Sequence, residues 1–262
     1  MVGTEIPFDQ RFRIGLSFDH RSDAVGKAGV NRIALREEKL ELRVAWFPVP
    51  SVLLYASMPY VHRAVEYVNG GTESVWRPGD AALQGRWYFF RDRDFAPRHL
   101  LAVSMGARLP TGPLSKDADG RYLPPELQTG VGGVELSLGP TYSAFDDALS
   151  YYVSVLGVLP VASRLDAKPG PSLRLTAAAQ WQPETAVALR GVIDARVDSR
   201  VREQGAVDPD SGGFVLFVGP DMVFSLGGDL LAVFGFRVPA VNALHGNHDE
   251  GVSASLSIVY DL

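Results

Sequence analysis

Six arginines, Arg43, Arg86, Arg108, Arg174, Arg190 and Arg237, stand on the polar side of segments that alternate apolar and polar residues, and Glu135 and Asp194 share that side. A guanidinium presents five donors in a planar fork that suits carboxylates and stacks on aromatic faces. Lining a passage, such side chains would attract anionic or electron-rich solutes. The equal alternative is that they neutralise acids on neighbouring strands. A second concentration of reactive groups is His245, His248, Asp249 and Glu250. Histidine with carboxylate can bind Zn²⁺, but this spacing matches no metal signature and the expectation is a solvated loop with no metal. His20, His62 and His99 stand beside no Ser or Asp that periodicity would fix as a partner. With no Gly-rich phosphate loop and no paired catalytic carboxylates, the sequence predicts no catalytic residue and no cofactor.

The chain has 262 residues, 46% hydrophobic and 21% charged, with a formal net charge of −5 and no cysteine. An acidic balance argues against a nucleic-acid partner, which would need a basic face. Disulfides and thiolate chemistry are excluded. The most apolar window, 149–162, is interrupted by Ser150, Ser154, Gly157 and Pro160 and is shorter than the roughly 20 residues of a membrane helix. Met1-Val2-Gly3 leads into polar sequence without a basic-then-apolar leader, so an envelope location requires that a signal peptide was removed.

What must position the arginines is a set of strands. Segment 251–262 places Val252, Ala254, Leu256, Ile258, Tyr260 and Leu262 on one face and Ser253, Ser255 and Ser257 on the other. Phe12, Ile14, Leu16 and Phe18 alternate with Arg13, Ser17 and Asp19 in the same way. A long apolar terminal strand left on an open edge would aggregate, and its economical partner is the first strand, which closes a barrel. The period-two alternation recurs twelve times. Pro59 within the third segment argues for an edge or a bulge there.

Connections alternate in length. Short turns fall near Pro48, Arg91, Asp146, Pro183 and Gly227, and polar stretches such as 20–38, 62–79, 198–212 and 240–250 read as long loops. The prediction is an all-β fold: a closed antiparallel transmembrane β-barrel of about 12 strands forming one domain over 1–262, with short periplasmic turns, long extracellular loops and an N-terminal periplasmic segment over 1–9. Phe12, Trp46, Trp87, Tyr142, Tyr151, Trp181, Phe224 and Tyr260 then fall outward near the short-turn end, as an aromatic girdle at lipid headgroups would. The inward side carries nine arginines, with Arg11, Arg13 and Arg196 joining the six, against Asp19, Glu41, Asp80, Glu135, Asp194 and Asp221. That excess of three positive charges predicts a weak anion preference, with the balancing acid in loops at Asp117, Asp119, Glu126, Asp208, Asp210, Asp249 and Glu250.

Three stretches carry a resemblance. Gly79-Asp80-Ala81-Ala82-Leu83-Gln84-Gly85-Arg86-Trp87, then Gly106-Ala107-Arg108-Leu109-Pro110-Thr111-Gly112, then Leu127-Gln128-Thr129-Gly130 followed by Glu135-Leu136-Ser137-Leu138-Gly139 resemble, in this order, outer-membrane proteins of the phenol-degradation meta-pathway type. Gly219-Pro220 and the stretch from Val238-Pro239 to Gly246 are similar too, so the resemblance covers most of the chain from about Leu40. It implies a transporter-like barrel for hydrophobic or aromatic compounds and brings no catalytic residues. The chain departs from the usual barrel ending on an aromatic residue: it ends on Leu262, with Tyr260 two residues before. The expected function is a porin-like channel in the Gram-negative outer membrane for passive transport of small molecules. The alternatives are a plugged structural barrel and, less favoured, an outer-membrane enzyme. Expected partners are outer-membrane lipid, a small-molecule solute and the barrel-assembly machinery during biogenesis.

Overall fold

Alternating sequence becomes alternating ladder. The computed structural model describes residues 12–262 apart from 28, 95, 117–118, 121, 124–126, 131, 164–166 and 204. The segment 1–9 and Arg11 lie outside the described residues. Twelve antiparallel strands close a barrel: β1 (Phe12–Val25), β2 (Ile33–Val49), β3 (Val52–Glu66), β5 (Ala82–Arg91), β6 (His99–Arg108), β7 (Gly133–Asp146), β8 (Leu149–Ser163), β10 (Ser172–Trp181), β11 (Val187–Asp198), β14 (Gly213–Gly227), β15 (Leu230–Leu244) and β16 (His248–Asp261). One further strand, β4 (Thr72–Pro78), pairs only with β3. Three short strands, β9 (Ala167–Lys168), β12 (Arg202–Glu203) and β13 (Ala206–Val207), form a separate small sheet at the long-loop end. The expectation of a closed twelve-strand barrel holds.

The closing ladder joins β1 to β16, with Leu16 opposite Ile258 and Arg13 opposite Asp261. Every strand thereby has two neighbours and no edge is left in the ring. Outward residues of these strands are large and apolar: Leu16, Leu42, Met105, Leu138, Ile193, Phe234 and Leu256 are all exposed. Water would oppose such a belt and lipid would favour it.

Several stretches expected as loops are instead strand. β1 runs to Val25 and β2 starts at Ile33, so most of 20–38 is ladder. β3 and β4 occupy most of 62–79, and β15 with β16 leave only 245–247 of the expected loop 240–250. The physical reason is length. A transmembrane strand needs about 9–11 residues, whereas β2 has 17 and β15 has 15. Beyond the apolar belt both faces are wet, so side-chain alternation fades while backbone pairing continues.

Pro59 finds its place at a break rather than an edge. The lower half of β3 pairs with β5, from Val52 opposite Trp87 to Ser57 opposite Ala82, and its upper half pairs with β4, from Tyr60 opposite Pro78 to Glu66 opposite Thr72. Between them the chain crosses 79–81, and the Gly79 N–H donates to the Pro59 carbonyl at 2.8 Å. The missing proline N–H therefore falls where no ladder bond is required. A Cβ on Gly79 would come within 3.0 Å of the Pro59 ring and the Thr129 carbonyl, so this crossing needs glycine. Asp80, almost fully buried, accepts the Gly112 N–H at 2.9 Å, and the Ala81 N–H donates to Thr111 Oγ1 at 2.8 Å. These bonds fasten the 109–130 loop to the wall. Gln128 braces that loop from inside, accepting from Ser115 N and donating to the Ser115 and Leu123 carbonyls.

Candidate functional site: the barrel interior

The inward face carries two polar belts. On β11, β14 and β15, Arg190 Nε donates to Asp221 Oδ2 at 2.8 Å, and Arg237 Nη1 donates to Asp221 Oδ1 at 2.6 Å. Arg237 Nε also reaches Asp194 at 3.3 Å, and Thr176 Oγ1 from β10 donates to Asp194 at 2.7 Å. Asp221 is only 3% exposed. Its carboxylate fits because Gly235 stands opposite: a Cβ there would lie 2.7 Å from Asp221 Oδ1. Two arginines share one buried acid, and Asp194 supplies the second negative charge.

Across the lumen, Arg86 is 7% exposed and donates from Nε to Ser104 at 3.2 Å and from Nη2 to the Tyr152 hydroxyl at 3.3 Å. Its guanidinium carbon also lies 5.6 Å from the Tyr152 ring centroid, within cation–π range. Ser104, Thr141 and Ser154 continue this belt as a buried hydroxyl chain at 3.0 and 3.3 Å. Arg43 donates to Glu41 at 2.7 Å, and Glu41 also takes Lys39 at 3.2 Å. Arg108 pairs with Glu135 at 3.0 Å. Arg13 clasps Asp261 across the closing ladder.

The structure thus brings Arg190, Asp194 and Arg237 into one network, places Arg43 and Arg86 on the wall of one cavity, and pairs Arg108 with Glu135. The charge count changes. Asp23, Asp198, Glu250 and Asp261 also lie among the inward arginines, holding Arg21, Arg196, Arg196 and Arg13 respectively. Glu250, expected in a solvated loop, is buried on β16. Arg174 stands apart: its Nε is buried and has no acceptor among the described residues.

Among the described residues, cavities open into the interior on several walls. One of about 330 Å³ lies against β10, β11 and β14 to β16, where Ala178, Ala188, Val192, Val223, Val233 and Val259 face Arg13, Arg43, Arg190 and Arg237. A second of about 280 Å³ lies between Arg43, Tyr55, Gln84, Arg86 and Tyr152. A third, of about 450 Å³, lies beneath the fastened loop among Glu37, Lys39, Arg63, Asp80, Arg108 and Gln128. Among the described residues no three His, Asp or Glu side chains are grouped to hold a metal ion.

One interior feature is absent from the sequence expectation. At the short-turn end Leu53, Tyr88, Leu100 and Ala102 pack together, with Ala45, Phe47, Tyr55 and Phe145 against them. These inward residues sit within the uninterrupted apolar runs Val52-Leu53-Leu54, Trp87-Tyr88-Phe89 and Leu100-Leu101-Ala102. A strand apolar on both faces reads as a continuous run, and that run was the available clue.

The aromatic set lies on the outside near the short turns. Phe12 stacks on Trp46 at 6.1 Å, Trp87 tilts against Phe89 at 5.9 Å, and the Tyr142 hydroxyl meets His99 Nδ1 at 2.8 Å. Tyr151, Trp181 and Tyr260 are exposed there, and Phe224 is partly covered. Trp76, the fourth tryptophan, belongs to the opposite end: on β4 it stacks on His62 at 4.2 Å and on Tyr60 at 5.9 Å. It escaped notice because 62–79 read as a loop.

No family model and no curated protein sequence matches this one. Solved structures do. The COG4313 outer membrane channel from Pseudomonas putida F1 superposes with a TM-score of 0.80 at 11% identity, over 100% of this chain and 99% of that one. The translocator domain of autotransporter NalP from Neisseria meningitidis gives 0.56 at 11% identity over 97% and 90%. The CymD monoaromatic hydrocarbon channel gives 0.52 at 10% over 97% and 89%. At such identities the likeness is one of architecture, and the chain has the fold of a twelve-stranded outer-membrane β-barrel.

Proposed function

We propose that this protein is a passive conduit in the bacterial outer membrane for small molecules, including aromatic or hydrophobic ones, and that it is not an enzyme. The observation that carries the reading is the inversion of the barrel: a continuous apolar belt outside, and inside a polar wall around cavities of about 330, 280 and 450 Å³. Apolar outside and polar inside suits lipid around the wall and solute within it. The named activities of the COG4313 outer membrane channel and the CymD monoaromatic hydrocarbon channel lend support. In this reading Arg43, Arg86, Arg108, Glu135, Arg174, Arg190, Asp194 and Arg237 line the pore. The eight outward aromatics form the girdle at the periplasmic headgroups, outer-membrane lipid covers the belt, and the barrel-assembly machinery inserts the chain.

The filled short-turn end of β3, β5 and β6 favours one second reading, a plugged barrel with a structural or interaction role. Reconstitution in liposomes separates the two. A conduit admits at least one class among phenolic acids, sugars and fatty acids, and Val233→Trp, which crowds the 330 Å³ cavity, slows that passage. No permeation of any solute by the unmodified protein would establish the plugged reading instead.

A further inference from the structure

One guanidinium near the long-loop end of the lumen has a buried nitrogen with no acceptor among the described residues. Arg174 lies two residues inside Ser172, where β10 begins. Directly across the ladder on β11 is another arginine, Arg196, and on the β8 side is Leu156, whose side chain brings no acceptor. Like charges placed opposite one another on a sheet destabilise it. Among the described residues, charged groups that act on Arg174 include Arg108, Glu135, Arg196 and Asp198. Each of those acids is committed elsewhere: Glu135 to Arg108 at 3.0 Å, and Asp198 to Arg196 at 2.5 Å. Glu250, the next acid along the wall, also engages Arg196. Among the described residues, Arg174 is the arginine with a buried guanidinium nitrogen that has no acceptor.

A buried charged donor without a partner is costly, and such a group persists where something else satisfies it. We propose that Arg174, flanked by Arg108 and Arg196, forms an anion-binding station in the upper lumen that takes a small oxyanion, a carboxylate or a phosphate. The guanidinium fork matches two oxygens of such a group, and its charge strengthens each bond. Arg108 and Arg196 supply field without being free, since their own acids hold them in place. The proposal rests on the conduit reading only for its purpose, namely that a solute anion pauses there; the binding itself does not require transport.

The experiment therefore measures binding apart from permeation. Purified protein in detergent is melted at constant ionic strength while chloride is replaced by inorganic phosphate or by benzoate. Phosphate stabilises many proteins without binding them, so the expected result is a rise in melting temperature that saturates with either anion. Arg174→Gln should abolish the saturable part, while Arg93→Gln, on an exposed turn, should keep it. Arg174→Lys retains charge without the fork and should need about tenfold more anion for half-saturation. Saturation with phosphate alone or with benzoate alone identifies which source the station serves. No saturable rise, or an undiminished one in Arg174→Gln, overturns the proposal. Should Arg174→Gln fail to fold, calorimetric titration of the unmodified protein decides on its own, because absence of heat at millimolar anion also overturns it. Loss of solute flux with intact anion binding would remove the conduit reading and leave the station standing.

Discussion

The two halves of the lumen solve the problem of a twelve-strand ring differently. On β2, β3, β5 and β6 the inward positions near the short turns carry Phe47, Leu53, Tyr88 and Leu100, which meet and exclude water. On β10, β11 and β14 to β16 the corresponding positions carry Ala178, Ala188, Val192, Val223, Val233 and Val259, and the space they leave is the 330 Å³ cavity beside the Arg190, Asp221 and Arg237 network. Small closed barrels fill their interior with side chains and large ones hold water; this one does some of each, on opposite walls. Side-chain volume on one half therefore stiffens the ring, and charge on the other half holds open a polar surface.

The sharpest way to break that contrast is Asp221→Ala. Removing the acid leaves Arg190 and Arg237 facing each other, and losing one member of a buried charge network typically costs about 3–5 kcal/mol. Urea unfolding in detergent should show a large fall in midpoint, with Asp221→Asn intermediate. A midpoint within error of the unmodified protein would mean that this wall is as solvated as an ordinary surface.

Leu100→Ala tests the filled half. Leu100 is 2% exposed, and truncating a buried leucine costs about 2–5 kcal/mol. Val233→Ala, on the open half, should cost about 1 kcal/mol or less, since its side chain already borders a cavity. Equal losses for the two variants would erase the distinction between a packed wall and an open one.

The smallest effect lies outside both halves, in the turn after β5. Asp92 accepts the Arg98 and His99 N–H groups at 2.8 and 2.9 Å, and these bonds hold its carboxyl below the ordinary aspartate value. A group whose folded value is depressed contributes above its unfolded value, about 3.9, and loses that contribution as pH falls through the folded one. The protection of the His99 and Arg98 amides relative to their intrinsic exchange rates should fall as pH drops below about 3.9, and Asp92→Ala should show the lowered protection at neutral pH with no change in melting temperature.

Most of the ring was legible in the residues, because period-two alternation in segments such as Phe12, Ile14, Leu16 and Phe18 has a single structural solution when lipid lies on one side. The site was legible only as a face. Alternation placed Arg190, Asp194 and Arg237 on one side of their strands, but their meeting at Asp221 depends on Gly235 and on the register between β14 and β15, which no local pattern encodes. Glu250 was hidden for another reason: alternation counted back from Val252 puts it outward, and a bulge in β16, where Arg21 opposite Ser253 is followed by Asp23 opposite Glu250, turns it inward. Asp23 sits in a stretch polar on both faces, where alternation has faded.

The ladder between β1 and β16 has a kinetic consequence. Its clasp, Arg13 to Asp261, joins residues 248 apart in sequence, so the ring shuts only after the whole chain has threaded into place. Contacts of that span make folding slow. Until they form, β1 and β16 are two raw edges able to capture foreign strands, and the time spent in that unclosed state, rather than the strength of the finished barrel, sets how much of the protein is lost to misassembly.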